Sequence, residues 1–269
     1  MPTHRVSLSS SRRLSRPSIE CLNGEVSVMA AFEHYLEEAN KAKTPEELFD
    51  IFLKHLRKYG YDKVLFALIT DHKDIDLKAG IGVLRNYPAD WMAYYFENEF
   101  DKIDPVATYA LHQSEVFEWS AIGKNVELLP VQKKCLNMGI EAGLNNGIGL
   151  ALRGPNNQVA GIGLASSEKK DACEFNADLI TAYCNHFYAA YKRLHQKVDL
   201  NPQNIVLTNR EREILKWTAT GKTDDEISDI LKISRHTVNM HFRHIYGKLD
   251  ANNRIFAVVK ALNCGLVTL

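Results

Sequence analysis

Aromatic and acidic side chains in the middle of the chain have the types needed to hold a small amphiphilic molecule. Trp91 and Tyr95 are four residues apart, Asp104 follows Trp91 by thirteen residues, and Trp119 comes fifteen residues later. Such a molecule needs an apolar cavity with a few convergent polar groups. Two indoles, several tyrosines and one carboxylate offer both, so this segment is a candidate binding pocket.

Each of these residues also has an ordinary structural explanation. A tryptophan or tyrosine at helical spacing commonly belongs to a core, and Asp104 before Pro105 could simply cap the next helix. Gly147 could serve only to relieve crowding in a strand. The joint pattern, more than any single residue, favours ligand binding.

A second set of polar side chains lies near the C terminus, where Ser234 can cap a helix that runs to about Lys248. One face of that helix carries Val238, Phe242, Ile245 and Leu249. Roughly opposite lie His236, Met240 and Arg243, with Asn239 on the flank. Arginine can bind guanine and asparagine can bind adenine, so this face suits the major groove of DNA. A solvated face on a three-helix bundle is the alternative.

Two capping boxes precede this helix, at residues 208–211 and 223–226. The short connection between the second and third helices predicts a helix-turn-helix. Residues 200–269 hold ten lysines and arginines against seven acids, which is the charge asymmetry expected of a DNA-binding region.

Segments 207–217, 221–223, 226–227 and 234–239 closely resemble the DNA-binding domain of LuxR-type transcription factors. Glu211, Leu215 and Gly221 stand at signature positions of that family. The resemblance implies double-stranded DNA as partner, RNA polymerase as a further partner, and a homodimer paired through the last helix, residues 252–264. The expected DNA-contacting residues are Thr223, Ser234, Arg235, His236, Asn239, Met240, Arg243 and Lys248.

Residues 86–91 (Asn-Tyr-Pro-Ala-Asp-Trp), together with the spacing of the aromatic and acidic residues that follow, resemble the autoinducer-binding domain of quorum-sensing receptors for N-acyl-homoserine lactones. The resemblance implies that Trp91 donates to the lactone carbonyl, Tyr87 donates to the amide carbonyl and Asp104 accepts the amide N–H. Tyr95 lines the acyl channel and Trp119 packs near the ring. The expected ligand-binding residues are Tyr87, Trp91, Tyr95, Asp104, Pro105, Trp119, Gly147 and Gly163.

Two positions depart from the family pattern. Met92 stands where some members carry a basic residue that reads a 3-oxo group, and Gly163 stands where a serine or threonine hydroxyl is often found. A 3-oxo ligand is therefore not favoured, and a LuxR-type regulator that responds to another small molecule, or to none, stays open as an alternative.

Other function classes find less support. An enzyme acting on the lactone or amide needs a nucleophile with a base, or a metal, but there is no GxSxG or HxHxDH-like cluster, and His112 and Cys135 are isolated. A response regulator needs a phosphoacceptor aspartate on a repeating βα pattern, which the N-terminal part lacks. No cofactor or metal is expected.

Composition limits the partners and the cellular compartment expected for the protein. Lysine plus arginine and aspartate plus glutamate both number 33, so any contact with nucleic acid must come from a local surface. The longest apolar run, residues 64–69, is too short to span a bilayer, so no membrane partner is expected. The five scattered cysteines indicate a reducing cytoplasm.

The pattern of elements predicts an α+β protein, with an N-terminal α/β/α sandwich and a C-terminal all-α helix-turn-helix domain. Helices are expected at 44–60, 89–98, 105–113, 129–138 and 173–195, and strands at 63–70, 77–84, 147–153 and 158–166. The domains are a disordered extension at 1–28, an autoinducer-binding domain at 29–195, a linker at 196–206 and the DNA-binding domain at 207–269. The natural start could lie at Met29, with a functional basic arm as the alternative.

Overall fold

The computed structural model describes residues 19–168, 176–195 and 205–268. The helices before residue 196 are α1 (Ile19–Ala39), α2 (Pro45–Leu56), α3 (Ala89–Glu97), α4 (Pro105–Ala110), α5 (Trp119–Asn125), α6 (Pro130–Glu141) and α7 (Ala177–His195). The strands are β1 (Lys63–Leu68), β2 (Gly80–Arg85), β3 (Phe117–Glu118), β4 (Asn145–Arg153) and β5 (Val159–Ser166). The later helices are α8 (Asn209–Ala219), α9 (Asp224–Leu231), α10 (Arg235–Leu249) and α11 (Arg254–Asn263).

The beginning of the chain differs from the expectation. Helix α1 starts at Ile19, so residues 19–28, which the serine-rich composition assigned to a disordered extension, are helical. Residues 1–18 lie outside the described residues, as do 169–175, where α7 was expected to begin, and 196–204, most of the expected linker. Ile205, at the end of that linker, packs against the C-terminal core.

Local capping sets where α2 begins. Thr44 accepts a hydrogen bond from the Glu47 N–H at 3.2 Å, and Pro45 occupies the first turn. The Glu47 carboxylate accepts the N–H of Lys43, not that of Thr44, so a reciprocal capping box is only half formed here. Gly60 ends the segment with a φ of 86°, a left-handed conformation that glycine adopts without strain.

The five strands form one antiparallel sheet in the order β2-β1-β5-β4-β3. Strands β4 and β5, both expected from the sequence, pair as a hairpin, and Asn156 and Asn157 take positive φ values in its turn. Strand β2 begins three residues later than expected because Leu77 pairs with His72 in a local turn. The two-residue strand β3 and helix α5 were not anticipated, because elements so short carry no periodicity.

Alternation along the strands divides the sheet into two faces. Val64 and Phe66 of β1 and Leu164 of β5 belong to one core with the helices α1, α2 and α7. The opposite side chains, among them Leu65 and Gly163, face a cavity roofed by α3, α4 and α6. The helices therefore cover both faces of the sheet, which confirms the α/β/α sandwich.

The C-terminal helices form a separate core built from Leu215, Val238, Phe242 and their neighbours. Both predicted capping boxes are present, at the starts of α8 and α9, and Ser234 caps α10. Lys232 turns the chain between α9 and α10 in a left-handed conformation. This is the expected helix-turn-helix. No helix within the described ranges is long and apolar enough to cross a membrane.

Candidate ligand-binding and DNA-binding sites

A narrow cavity of about 90 Å³ lies between the sheet and the helices α3, α4 and α6. Of the residues expected to bind a ligand, six border it: Tyr87, Trp91, Tyr95, Asp104, Trp119 and Gly163. Pro105 is buried in the first turn of α4 outside the lining, and Gly147 borders an adjacent, larger cavity of about 560 Å³. Most of the expected ligand-binding residues therefore lie at this pocket.

Asp104 has both of the roles considered for it. Its Oδ1 accepts the Val106 N–H at 2.7 Å and so caps α4, while its Oδ2 accepts the Tyr95 hydroxyl at 2.8 Å. Burial raises the pKa of Asp104 above its usual range, and the hydrogen bonds from Tyr95 and the backbone oppose that rise. The carboxylate is thus an oriented acceptor at the edge of an apolar cavity.

Helix α3 places Trp91 and Tyr95 on its buried face, one turn apart. Their rings meet edge to face at a centroid distance of 5.8 Å. The indole of Trp91 also packs against Gly139 of α6, where a Cβ atom would lie 3.6 Å from the ring. These contacts fix Trp91 as part of the wall, between the sheet and α6.

Two hydrogen-bond donors at the cavity have no partner. The Tyr87 hydroxyl and the Trp119 indole Nε1 are both buried and make no hydrogen bond within the protein. Burial, together with the nearby charge of Asp104, raises the pKa of Tyr87, so its hydroxyl keeps its proton. An unsatisfied buried donor costs about 1 to 3 kcal/mol. A ligand that brings acceptors to these two atoms would recover that free energy.

Glycines in β4 and β5 make room for the aromatic rings. A Cβ at Gly147 would lie 2.0 Å from the Trp119 ring, and one at Gly163 would lie 2.8 Å from the Tyr87 hydroxyl oxygen. A Cβ at Gly149 would likewise lie 2.5 Å from the Phe117 ring, a contact that the sequence did not indicate. The period of two along the strands could have indicated Gly149, since it lies on the face of Gly147. The role of Gly147 is therefore more than relief of strand crowding.

Gly161 and Gly163 of β5 border the cavity, but neighbouring side chains come close to both. A Cβ at Gly161 would lie 3.1 Å from Ile69. Further lining residues that sequence reasoning did not single out are Ile69, Ile81, Val106, Leu136 and Leu144. They come from five elements or loops, and only the assembled fold brings them together.

Helix α10 presents the expected polar face to solvent. Val238, Phe242, Ile245 and Leu249 are buried. Arg235, His236, Asn239, Met240 and Arg243 are exposed, as is His244, which continues the spacing of His236 and Met240 by one more turn. The structure thus combines an apolar face toward the domain core with a polar face available to DNA.

Four of the expected DNA-contacting residues have structural partners. The guanidinium group of Arg235 lies 3.2 Å from Oδ2 of Asp225. The hydroxyls of Thr223 and Ser234 cap α9 and α10. The Lys248 ammonium group lies 2.7 Å from Oε2 of Glu211, whose side chain is 2% exposed. Sequence spacing could not indicate this ion pair, because 37 residues separate its members. Lys248 therefore stabilises the packing of α10 on α8.

Comparison with known families identifies both parts of the chain. Residues 44–191 match the model described as "Autoinducer binding domain", and residues 205–261 match "Bacterial regulatory proteins, luxR family". The chain belongs to the LuxR family of transcriptional regulators. This LuxR-family regulator therefore couples a small-molecule-binding domain to a DNA-binding domain.

Its relatives have the same organisation. HTH-type quorum-sensing regulator RhlR of Pseudomonas aeruginosa is 30% identical over 224 residues, which cover 82% of this chain and 89% of the relative. Transcriptional activator protein LuxR of Aliivibrio fischeri is 30% identical over 211 residues, covering 76% and 81%. The crystal structure of Escherichia coli SdiA is 23% identical, covers 93% of this chain and 100% of that one, and superposes with a TM-score of 0.56, which supports the fold.

These relatives decide between the function classes. They are transcriptional regulators, which confirms the interpretation of this regulator as a DNA-binding protein and not an enzyme. The autoinducer-binding match covers the region that a response regulator would need for its phosphoacceptor domain. That alternative is therefore wrong.

Proposed function

We propose that this regulator binds an N-acyl-homoserine lactone in the cavity of its first domain and, as a homodimer, binds a palindromic promoter site. The observation that carries the proposal is the set of unused donors, the Tyr87 hydroxyl and Trp119 Nε1, beside the oriented carboxylate of Asp104. An acyl-homoserine lactone has two carbonyl acceptors and one amide N–H on an apolar tail. Its polar groups complement this set.

The proposed contacts follow the resemblance to the family. The Trp91 indole donates to the lactone carbonyl, the Tyr87 hydroxyl donates to the amide carbonyl, and Asp104 accepts the amide N–H. Trp119 packs near the ring, where its unpartnered N–H can also meet a ligand oxygen. Tyr95 holds Asp104 and lines the acyl channel.

The tail specificity is proposed from two side chains. Met92 borders the cavity and has no charge to read a 3-oxo group, and Gly163 has no hydroxyl. We therefore expect medium or long unsubstituted chains to bind better than short 3-oxo chains. Ile69, which lies close to Gly161 at this cavity, would contact the tail.

The output of the regulator is proposed to be dimer-dependent DNA binding in the cytoplasm, with RNA polymerase as the next partner. Two recognition helices related by a two-fold axis enter the same side of the duplex when half-site centres lie about 10 bp apart or a multiple of that. On α11, Ile255 and Val259 are 76% and 45% exposed, an apolar face that a second copy would cover. Ligand shifts the equilibrium only as far as its affinity differs between the two states.

Calorimetric titration with a series of acyl-homoserine lactones tests the ligand. We expect at least one unsubstituted lactone to bind, with Trp91→Phe weakening binding and Trp217→Phe, a change at a half-exposed tryptophan of α8, leaving it unchanged. If no lactone binds, mass spectrometry of molecules that copurify from a lactone-producing host distinguishes another small ligand from none. Either result would replace the lactone proposal.

A further inference from the structure

Three potential metal ligands converge on the face of the sheet opposite the cavity. His34 and Glu38 are one turn apart on α1, and His55 comes from the neighbouring helix α2. One donor atom from each of these side chains lies within 4.8 Å of the other two. The His55 Nε2 is 2.6 Å from Oε2 of Glu38, and the His34 Nε2 is 3.6 Å from Oε1.

The donor set and its spacing suit zinc. Zinc takes imidazole nitrogen and carboxylate oxygen at about 2.0 to 2.2 Å, so donors in a tetrahedral site stand roughly 3.3 Å apart. The two distances to Glu38 differ from this value by less than about 1 Å, and the three donor atoms lie within 4.8 Å of one another. The longer of the two involves His34, whose side chain is 56% exposed and free to adjust. Two imidazoles with one carboxylate leave a fourth position for water.

The group of potential ligands has one buried side and one side open to solvent. The side chain of His55 is fully buried, and its ring lies against Tyr35 of α1 at a centroid distance of 5.4 Å. This packing holds one ligand in place before a metal arrives. A metal ion would enter from the side of His34, because this residue is exposed to solvent beside Glu38.

We propose that His34, Glu38 and His55 bind a zinc ion that ties α1 to α2. The first helix would then be held in the domain by a metal as well as by its apolar contacts with the core. The proposal is independent of the lactone, since the cluster and the cavity lie on opposite faces of the sheet.

Lys54 competes for the same carboxylate. Its ammonium group is 2.7 Å from Oε1 of Glu38, and its side chain is 56% exposed. A bound cation would displace the Lys54 ammonium group into water, at little cost in free energy. Removing the charge should therefore favour the metal, because two cations at this distance repel each other.

The test uses the full chain without a purification tag, titrated with Zn²⁺ in a calorimeter and with Co²⁺ in a spectrophotometer. We expect one Zn²⁺ per chain and a Co²⁺ absorption band typical of tetrahedral coordination. His34→Ala, at an exposed position that folding does not depend on, should weaken Zn²⁺ binding at least about tenfold. Lys54→Met should strengthen it by roughly threefold to tenfold.

His112→Ala is the matched control, since His112 is another exposed histidine of the same domain and belongs to no such group. It should bind Zn²⁺ like the parent. Zn²⁺ should raise the unfolding temperature of the parent and of His112→Ala but not that of His34→Ala. Unchanged Zn²⁺ affinity in His34→Ala, or no binding by the parent, would overturn the proposal.

Discussion

Tyr95 donates its hydroxyl hydrogen to Oδ2 of Asp104 at 2.8 Å, across one wall of the ligand cavity. The same carboxylate uses Oδ1 to cap α4. Asp104 is thus held from two sides, by a neighbouring helix and by its own. The orientation of the proposed amide acceptor is set before any ligand enters.

Asp104→Ala should weaken lactone binding roughly tenfold to a hundredfold, because a hydrogen bond to a charged acceptor contributes about 1.5 to 3 kcal/mol. It also removes the cap of α4, which costs about 1 kcal/mol of stability. Asp104→Asn separates the two effects, since asparagine caps a helix as well as aspartate but presents an NH₂ group to the ligand amide. Calorimetry and thermal unfolding measure both. If Asp104→Asn bound lactone with the affinity of the parent, the carboxylate would not be a ligand contact.

Lactone binding should depend on pH through Asp104. Burial raises the pKa of Asp104, so the affinity is full above that pKa and falls as the pH drops through it and the acceptor becomes protonated. Tyr95→Phe removes a bond that lowers this pKa, so the fall should begin at a higher pH than in the parent. Titrations of both proteins across the acidic range provide the comparison. Identical pH profiles would show that Asp104 does not control binding.

Gly147→Ala should disturb the Trp119 ring, since the new methyl group would lie 2.0 Å from it. Overpacking of this kind costs about 1 to 3 kcal/mol. We expect a lower unfolding temperature and weaker lactone binding. Gly123→Ala is the control in the same domain, because its Cβ would meet Leu128 at an ordinary 3.6 Å. If the two variants had the same unfolding temperature and lactone affinity, the close packing of Trp119 on Gly147 would be contradicted.

The Glu211–Lys248 pair should support the DNA-binding domain at neutral pH. Burial alone would raise the pKa of Glu211, but hydrogen bonds from Lys248 and Thr208 outweigh it and hold the pKa below its usual range. Its stabilisation is therefore present above the unfolded-state pKa and is lost as the pH falls through the lower folded-state pKa. Lys248→Met should destabilise the domain by about 1 to 3 kcal/mol near pH 7.

Lys216→Met is the control for this pair, since Lys216 is an exposed lysine of α8. Its effect should stay within about 0.5 kcal/mol. Denaturant unfolding at neutral and acidic pH gives the values for both variants. A Lys248→Met variant as stable as the parent at neutral pH would mean that the ion pair contributes nothing.

Arg243→Ala and Asn239→Ala should weaken operator binding while leaving lactone binding intact. Both side chains are exposed on α10, and the loss of a base contact costs about 1 to 3 kcal/mol. A lost phosphate contact would instead weaken all sequences alike and lower the salt slope by about one unit. Mobility-shift titrations on a palindrome and on scrambled DNA at two salt concentrations separate these cases. Equal binding of the parent to both DNAs would contradict sequence-specific regulation.

Features set by neighbours in the chain could be predicted from the sequence. The starts of α2, α8 and α9 follow from hydroxyl caps and acids within three residues. The start of α10 follows from the Ser234 hydroxyl cap, and its buried face follows from its period. The polar and aromatic side chains of the cavity wall were also found, because the family pattern spaces these residues along the chain. Here local chemistry and tertiary structure agree.

Features set by distant contacts could not be predicted in the same way. Trp119 lies on Gly147 and Lys248 binds Glu211 only after the chain has folded. The expected disordered extension reached too far, to residue 28, because the segment is rich in serine, although Ile19 and the residues after it form a helix. The approach of Ile69 to Gly161, where an added Cβ would lie 3.1 Å away, likewise depends on the pairing of β1 with β5.

The positions of the tryptophans allow ligand binding to be followed by intrinsic fluorescence. Trp91 and Trp119 both border the cavity, while the third tryptophan of the chain, Trp217, is 37% exposed on α8. A molecule entering the cavity changes the surroundings of the first two indoles and does not touch the third. Intrinsic fluorescence therefore reports occupancy without a dye, and Trp217→Phe removes the constant background emission.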